Sequence, residues 1–157
     1  MGRTDPTGSL RPARADDPAE AEAVARVHLR SRRSAPMPPS VHPPEEVRAY
    51  LAARLSATSP DETWVAEVDD VVVGYLRMTP TWVDDLYVDP AHAGQGVGTM
   101  LLDLAKALRP DGFGLWVFAS NAPARAFYAR HGLSEVERTD GAGNEEREPD
   151  VGLRWTP

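Results

Sequence analysis

The 157-residue chain contains no cysteine. Disulfide staples, thiolate zinc sites and a cysteine nucleophile are therefore excluded. Lysine is almost as scarce: Lys106 is the only one, and it falls in a segment of helical periodicity, which leaves little for Schiff-base chemistry. No apolar run approaches the roughly 20 residues that a membrane span needs. The apolar runs are short, such as Val71–Val73. Met1–Leu10 carries no apolar core of a secretory leader, so the expectation is a cytoplasmic protein without a membrane partner. Basic residues are outnumbered, 17 against 24 acidic, for a net charge of −7. That balance argues against nucleic acid as a partner and favours cationic or neutral ones. Arg32-Arg33 is too short a basic run to reverse the argument. No His/Asp/Glu cluster has metal-ligand spacing, so no metal is expected. A Gly-x-Ser-x-Gly elbow and a long internal repeat are also missing.

What is present describes an ordinary core. Apolar residues make up 41% and charged residues 26%, enough for one domain of this length. Residues 1–8 read as a flexible N-terminus and 9–157 as a single domain. Ser9–Ala13 reads as a short edge strand. Asp17-Pro18-Ala19-Glu20 opens a helix, with Asp17 as cap, Pro18 in the first turn and Glu20 completing a capping-box pair. Residues 30–44, with five prolines, read as a loop. Glu45–Leu55 is a second helix with Val47, Tyr50, Leu51 and Leu55 on one face. Trp64–Val68 and Val71–Met78 flank Asp69-Asp70 as a hairpin, and Thr81–Val88 follows as a third strand. A helix through Val97, Leu101, Leu104 and Leu108 leads to Phe113–Phe118, whose apolar run predicts burial on both faces. Ala122–Arg130 is a short helix ended by Gly132. Leu133–Arg138 and Val151–Trp155 close the pattern β-α-α-β-β-β-α-β-α-β-β.

The strongest chemical signal is Ala93-Gly94-Gln95-Gly96-Val97-Gly98-Thr99. It follows the strand Leu86-Tyr87-Val88 and opens a helix with no Ser, Thr, Asp or Asn cap. The first amides of that helix lack side-chain partners, glycines bare them, and the dipole adds positive character. A phosphate would satisfy both needs; a turn that only lets helix and sheet pack closely would also use these glycines. Gly-x-x-x-x-Gly-Lys is absent, and the glycine spacing is wrong for the dinucleotide fingerprint.

Residues Leu86 to Leu102 resemble the acetyl-CoA-binding segment of the GNAT superfamily of N-acetyltransferases. Ala119 to Leu133, with Asn121-Ala122-Pro123 and Phe127-Tyr128, resembles the family's next motif at its usual distance. The resemblance spans nearly the whole chain. It implies a mixed α/β fold of α+β character: a central, mostly antiparallel sheet of six to seven strands, splayed into a V and flanked by about four helices. It implies acetyl-CoA as cosubstrate, no metal, and a small-molecule or peptide amine as acceptor, and it leaves room for a homodimer. The amides of Gly94, Gly96, Gly98 and Thr99, with Ala93, Gln95 and Val97 in the same loop, would hold the pyrophosphate. Leu86, Tyr87 and Val88 would pair with the pantetheine arm. Asn121 would touch the cofactor, and Tyr128 would protonate the departing thiolate. Ala93 departs from the pattern, because the family usually has Arg or Gln there.

The base is open at this level. Positions that hold a glutamate in some relatives carry Trp82 and Trp116. Asp84 and Asp85 are the nearest carboxylates, with alternation placing Trp82, Asp84, Leu86 and Val88 on one face and Val83, Asp85 and Tyr87 on the other. Solvated strand-end charges, Glu67, or proton removal through ordered water are the alternatives. Asn121 also fits a helix cap and Tyr128 a core aromatic. His28 reads as a packed histidine on an apolar helical face. Two other function classes compete with a catalytic acetyltransferase. One is a non-catalytic acyl-CoA-binding sensor or structural module, and the other a nucleotide-binding α/β protein.

Overall fold

The structure, a computed structural model, describes residues 8–157, so most of the expected N-terminal segment 1–8 lies outside the described residues. Gly8 already belongs to the first strand. The elements run β1 (Gly8–Pro12), α1 (Pro18–Ser34), α2 (Pro44–Arg54), β2 (Glu62–Val68), β3 (Val71–Met78), β4 (Val83–Val88), α3 (Val97–Leu108), β5 (Phe113–Phe118), α4 (Ala122–Arg130), β6 (Ser134–Thr139) and β7 (Asp150–Trp155). This is the order read from the sequence, with a single 3-10 turn added at Pro90–His92.

Local chemistry accounts for most boundaries. Asp17 caps α1 by accepting from the amides of Ala19 and Glu20. Glu20, however, does not complete a capping box. Its carboxylate is buried and accepts from the Arg11 guanidinium at 2.5 and 2.9 Å and from the Arg14 amide at 2.8 Å. A bidentate arginine is the stronger partner for a buried carboxylate. The first helix also runs on to Ser34, with Arg32 and Arg33 in its last turn, so the loop begins at Ala35 and not at Arg30. Cations at a helix C-terminus and Pro36 just beyond set that end. On α2, Val47 and Leu51 are buried while Tyr50 is turned out, its ring under Arg54 and Arg77. Asp69 and Asp70 both adopt positive φ, 52° and 63°, which makes the hairpin turn without glycine.

Two antiparallel sheets form, in the orders β1-β2-β3-β4 and β5-β7-β6. Among the described residues they are joined by one parallel bridge, Trp82 to Gly114, and by the Gly114 amide donating to the Thr81 carbonyl at 3.0 Å. Beyond that joint β4 and β5 diverge, which is the V implied by the resemblance. Helices α1 and α2 cover one face of the first sheet through Val24, Val27, Leu51, Val65 and Tyr75. Helix α3 covers the other face, where Leu76, Leu101 and Leu102 meet Phe113 and Val151 of the second sheet. A side chain such as Leu101, with no exposed surface, contributes about 1.5–3 kcal/mol by leaving water. Strand β5 is not buried throughout, since Trp116 remains 46% exposed.

One irregularity repositions the candidate carboxylates. In the β3–β4 ladder Arg77 pairs with Asp85 and Met78 with Val83, so Asp84 is left over as a bulge. Strict alternation is broken there. Val83 joins Leu86 and Val88 on the α3 side, while Tyr87 packs on the α1 side.

Candidate functional site

The divergence of β4 and β5 opens a slot of about 680 Å³ between the sheets. Its walls contain Asp84, Leu86, Tyr87 and Val88 from β4 and Leu115 to Phe118 from β5. Ala93, Gly94, Gly96, Val97, Gly98 and Thr99 close one end, and Asn121 and Tyr128 reach it from α4. Of the residues expected to bind the cofactor or to serve as acid or aspartate base, Asp85 and Gln95 are not among its lining residues, and neither are Glu67, Trp82 and His28. Gln95 turns aside to His92, 3.2 Å from its Nδ1.

Strand β4 is an edge of its sheet. The Asp89 amide donates inward to the Val73 carbonyl at 2.8 Å. By antiparallel alternation the backbone groups of Leu86 and Val88 point the other way, into the slot. At the glycine end, Gly96 caps α3 with φ 84° and no side-chain hydrogen bond. Gly94 has φ 75°, and a Cβ added at either glycine would meet nothing within 4 Å. The amides at the start of α3 therefore face open space, which suits an anion with several acceptor oxygens. The end of α4 brings Arg130 and His131 to the same region.

Asn121 caps α4 by accepting from the Ala124 amide at 3.3 Å, so its side chain is engaged while its residue still borders the slot. Tyr128 is buried. Burial pushes its phenol well above the ordinary value, and its hydroxyl has no hydrogen-bond partner among the described residues. A phenol held protonated and free to donate can act as an acid.

The two aspartates separate. Asp84, on the bulge, borders the slot, and loss of hydration lifts its carboxyl above the usual range, against the pull of Arg77. Asp85 is buried and accepts from the Tyr75 hydroxyl at 3.0 Å and from Arg77 Nε at 2.9 Å. Arg77 also donates to Asp61 at 2.8 Å. Past Asp84, Trp116 stacks on Trp82 with centroids 6.1 Å apart and planes within 5°. Glycines make room for both indoles: Trp82 lies over Gly114 and Trp116 over Gly152. Ser31 and Met37 from α1 and the loop after it, and Asp150 from β7, complete this end. Arg32 donates to the Pro38 carbonyl at 3.0 Å and pairs with Glu146, while His42 lies 2.8 Å from Glu145. These contacts hold the 35–43 and 140–149 loops together beside the slot. Asp150 had no signal in the sequence, because it reaches the slot only through the pairing of β7 with β5.

Comparisons with known proteins point to one family. Residues 27–133 match the model of the Acetyltransferase (GNAT) family. The chain is 36% identical over 95 residues to the peptidyl-lysine N-acetyltransferase YjaB of Salmonella typhimurium, covering 59% of this chain and 65% of that protein. It is 31% identical over 115 residues to an uncharacterized N-acetyltransferase of Archaeoglobus fulgidus, covering 64% of this chain and 77% of the relative. A crystal structure of a GCN5-related N-acetyltransferase from Rhodopseudomonas palustris superposes with a TM-score of 0.78 over 100% of this chain and 99% of that one, at 25% identity.

Proposed function

The chain belongs to the GNAT acetyltransferase family, and from that premise we propose that it moves an acetyl group from acetyl-CoA directly to a primary amine within a ternary complex. The observation that carries this reading is the slot itself. It joins an open, uncapped helix N-terminus at one end to a buried, unpartnered phenol, with an unpaired strand edge between them.

Acetyl-CoA supplies the activated thioester when bound. The amides of Gly96, Gly98 and Thr99 hold its pyrophosphate, and Arg130 adds a cation where Ala93 offers none. The backbone of Leu86 and Val88 aligns the pantetheine amides as an added strand would. Tyr128 donates its proton to the sulfur as the C–S bond breaks. With no cysteine in the chain, transfer goes straight to the acceptor nitrogen. The acceptor enters past Trp116, Asp84 and Asp150. Two carboxylates and an indole face favour a cationic amine, and a lysine side chain, the substrate in the name of the Salmonella relative, belongs to that class.

The test is thiol release from acetyl-CoA in the presence of spermidine, an aminoglycoside or a lysine-containing peptide. Amine-dependent release with an acetylated acceptor supports the reading. Tight CoA binding without release from any of the three would favour the sensor alternative, for which Ala93 speaks.

A further inference from the structure

Behind the β4 wall lies a chain of polar groups that the transfer scheme above leaves unused. His28 Nδ1 is 2.7 Å from the Tyr75 hydroxyl, which in turn is 3.0 Å from Asp85 Oδ2. Tyr75 has no exposed surface, and Arg77 Nε donates to the same Asp85 oxygen at 2.9 Å. The direction of these bonds follows from the donors. Asp85, paired with Arg77, accepts, so the Tyr75 proton points to Asp85. The Tyr75 oxygen then presents a lone pair to His28, and Nδ1 carries the imidazole proton. Nε2 is left with its lone pair free.

His28 does not itself line the slot but adjoins two residues that do. It lies one helical turn before Ser31, a lining residue. Its ring stands edge-on against Tyr87, another lining residue, with centroids 4.8 Å apart. Resting on the acetyltransferase reading, we infer that His28 is the general base of this enzyme, working through slot solvent and positioned by Tyr75 and Asp85. In the step, the amine lone pair forms the bond to the acetyl carbon. The displaced N–H proton passes through water to His28 Nε2, and the thiolate leaves with the Tyr128 proton. The imidazolium that results donates from Nδ1 to Tyr75, which donates to Asp85. Asp84, lacking such support, is a slot-wall charge.

The surroundings suit a base that is neutral at rest. Tyr75 and Arg77 face His28 from β3, Asp85 and Tyr87 from β4, and Arg32 from its own helix. Asp89, beyond β4, is held by Arg30. The side chains that α2 adds to this core are the apolar Val47 and Leu51. Burial lowers the imidazole below its ordinary value, with Arg32 and Arg77 acting the same way and Asp85 opposing.

The experiment measures kcat/KM from about pH 5 to pH 9, spanning the imidazole range. It uses acetyl-CoA with spermidine and with a lysine peptide, for the wild type, His28→Asn, His28→Gln and Tyr75→Phe. The Asn amide can still donate to Tyr75 but has no basic nitrogen. CoA affinity by calorimetry verifies that each variant is folded. The wild type is expected to show an acid limb with a midpoint below the ordinary imidazole value. His28→Asn and His28→Gln should lose that limb and about 100-fold in rate at neutral pH, with CoA affinity unchanged. Tyr75→Phe should keep the limb, lowered in height and moved to lower pH. A folded His28→Asn or His28→Gln with the wild-type profile overturns the assignment while the acetyltransferase reading stands. A wild type that releases no thiol with either amine overturns both.

Discussion

Replacing Gly96 with alanine separates two consequences that the structure makes distinct. Gly96 has φ 84°, a backbone where an L side chain costs about 1–2 kcal/mol. For a chain of this size that cost lowers the melting temperature by roughly 2–8 °C. The new Cβ touches no protein atom within 4 Å, so packing adds nothing to the cost. It does project beside the α3 amides, into the space a pyrophosphate must enter. Disrupting one charge-assisted hydrogen bond there forfeits about 1.5–3 kcal/mol, a rise in Kd of roughly 10–150-fold. Gly132→Ala is the control. Gly132 has φ 86° and an equally open Cβ position, but it does not line the slot. Both variants should lose similar melting temperature, and only Gly96→Ala should lose affinity for CoA, measured by calorimetry. Equal CoA affinities in the two variants would refute the placement of the phosphates on this loop.

Tyr128→Phe should lower kcat by about 10-fold or more and leave CoA affinity and melting nearly unchanged, because its hydroxyl has no hydrogen-bond partner among the described residues; steady-state rates and a melting curve check both parts. Ala93→Arg should tighten CoA binding by about 5–10-fold at low salt and less at high salt, read by titration at two ionic strengths. Glu20→Gln should destabilise the fold at neutral pH by about 1–3 kcal/mol. The Arg11 hydrogen bonds hold the folded Glu20 carboxyl below its usual range, so this stabilisation is complete above the unfolded carboxylate value and is lost as pH falls through the folded one. Urea denaturation should therefore show the two proteins converging below about pH 4, and a constant gap down to acid pH would contradict the pairing.

The order of the elements was legible because each is written in local terms. The Asp17-Pro18 start of α1, the uncapped glycine start of α3, the Asn121 cap and Gly132 are all short-range signals. The glycine end of the slot was legible for the same reason, since it is one contiguous loop. The opposite end was not. Which aspartate borders the slot depends on the bulge opposite Met78, a property of pairing between strands that alternation within β4 cannot reveal. Glu20 leaves its capping box for Arg11, which sits on β1, outside the helix. The partners of His28 lie on β3 and β4, 47 residues and more away, so an apolar helical face was all its own segment could display. The two sheets are joined at the Trp82–Gly114 bridge, a pairing that no segment encodes by itself.

Direct acetyl transfer across the slot is tested most directly by following the acetyl group itself. The protein is incubated with acetyl-CoA carrying an isotopic label in the acetyl carbons together with spermidine or a lysine peptide, and both the intact protein and the amine are weighed by mass spectrometry. The account predicts label on the amine nitrogen, appearing in step with free CoA thiol, and none retained on the protein. Label retained covalently on the protein before it reaches the amine, or bound acetyl-CoA whose label reaches no amine, would contradict it.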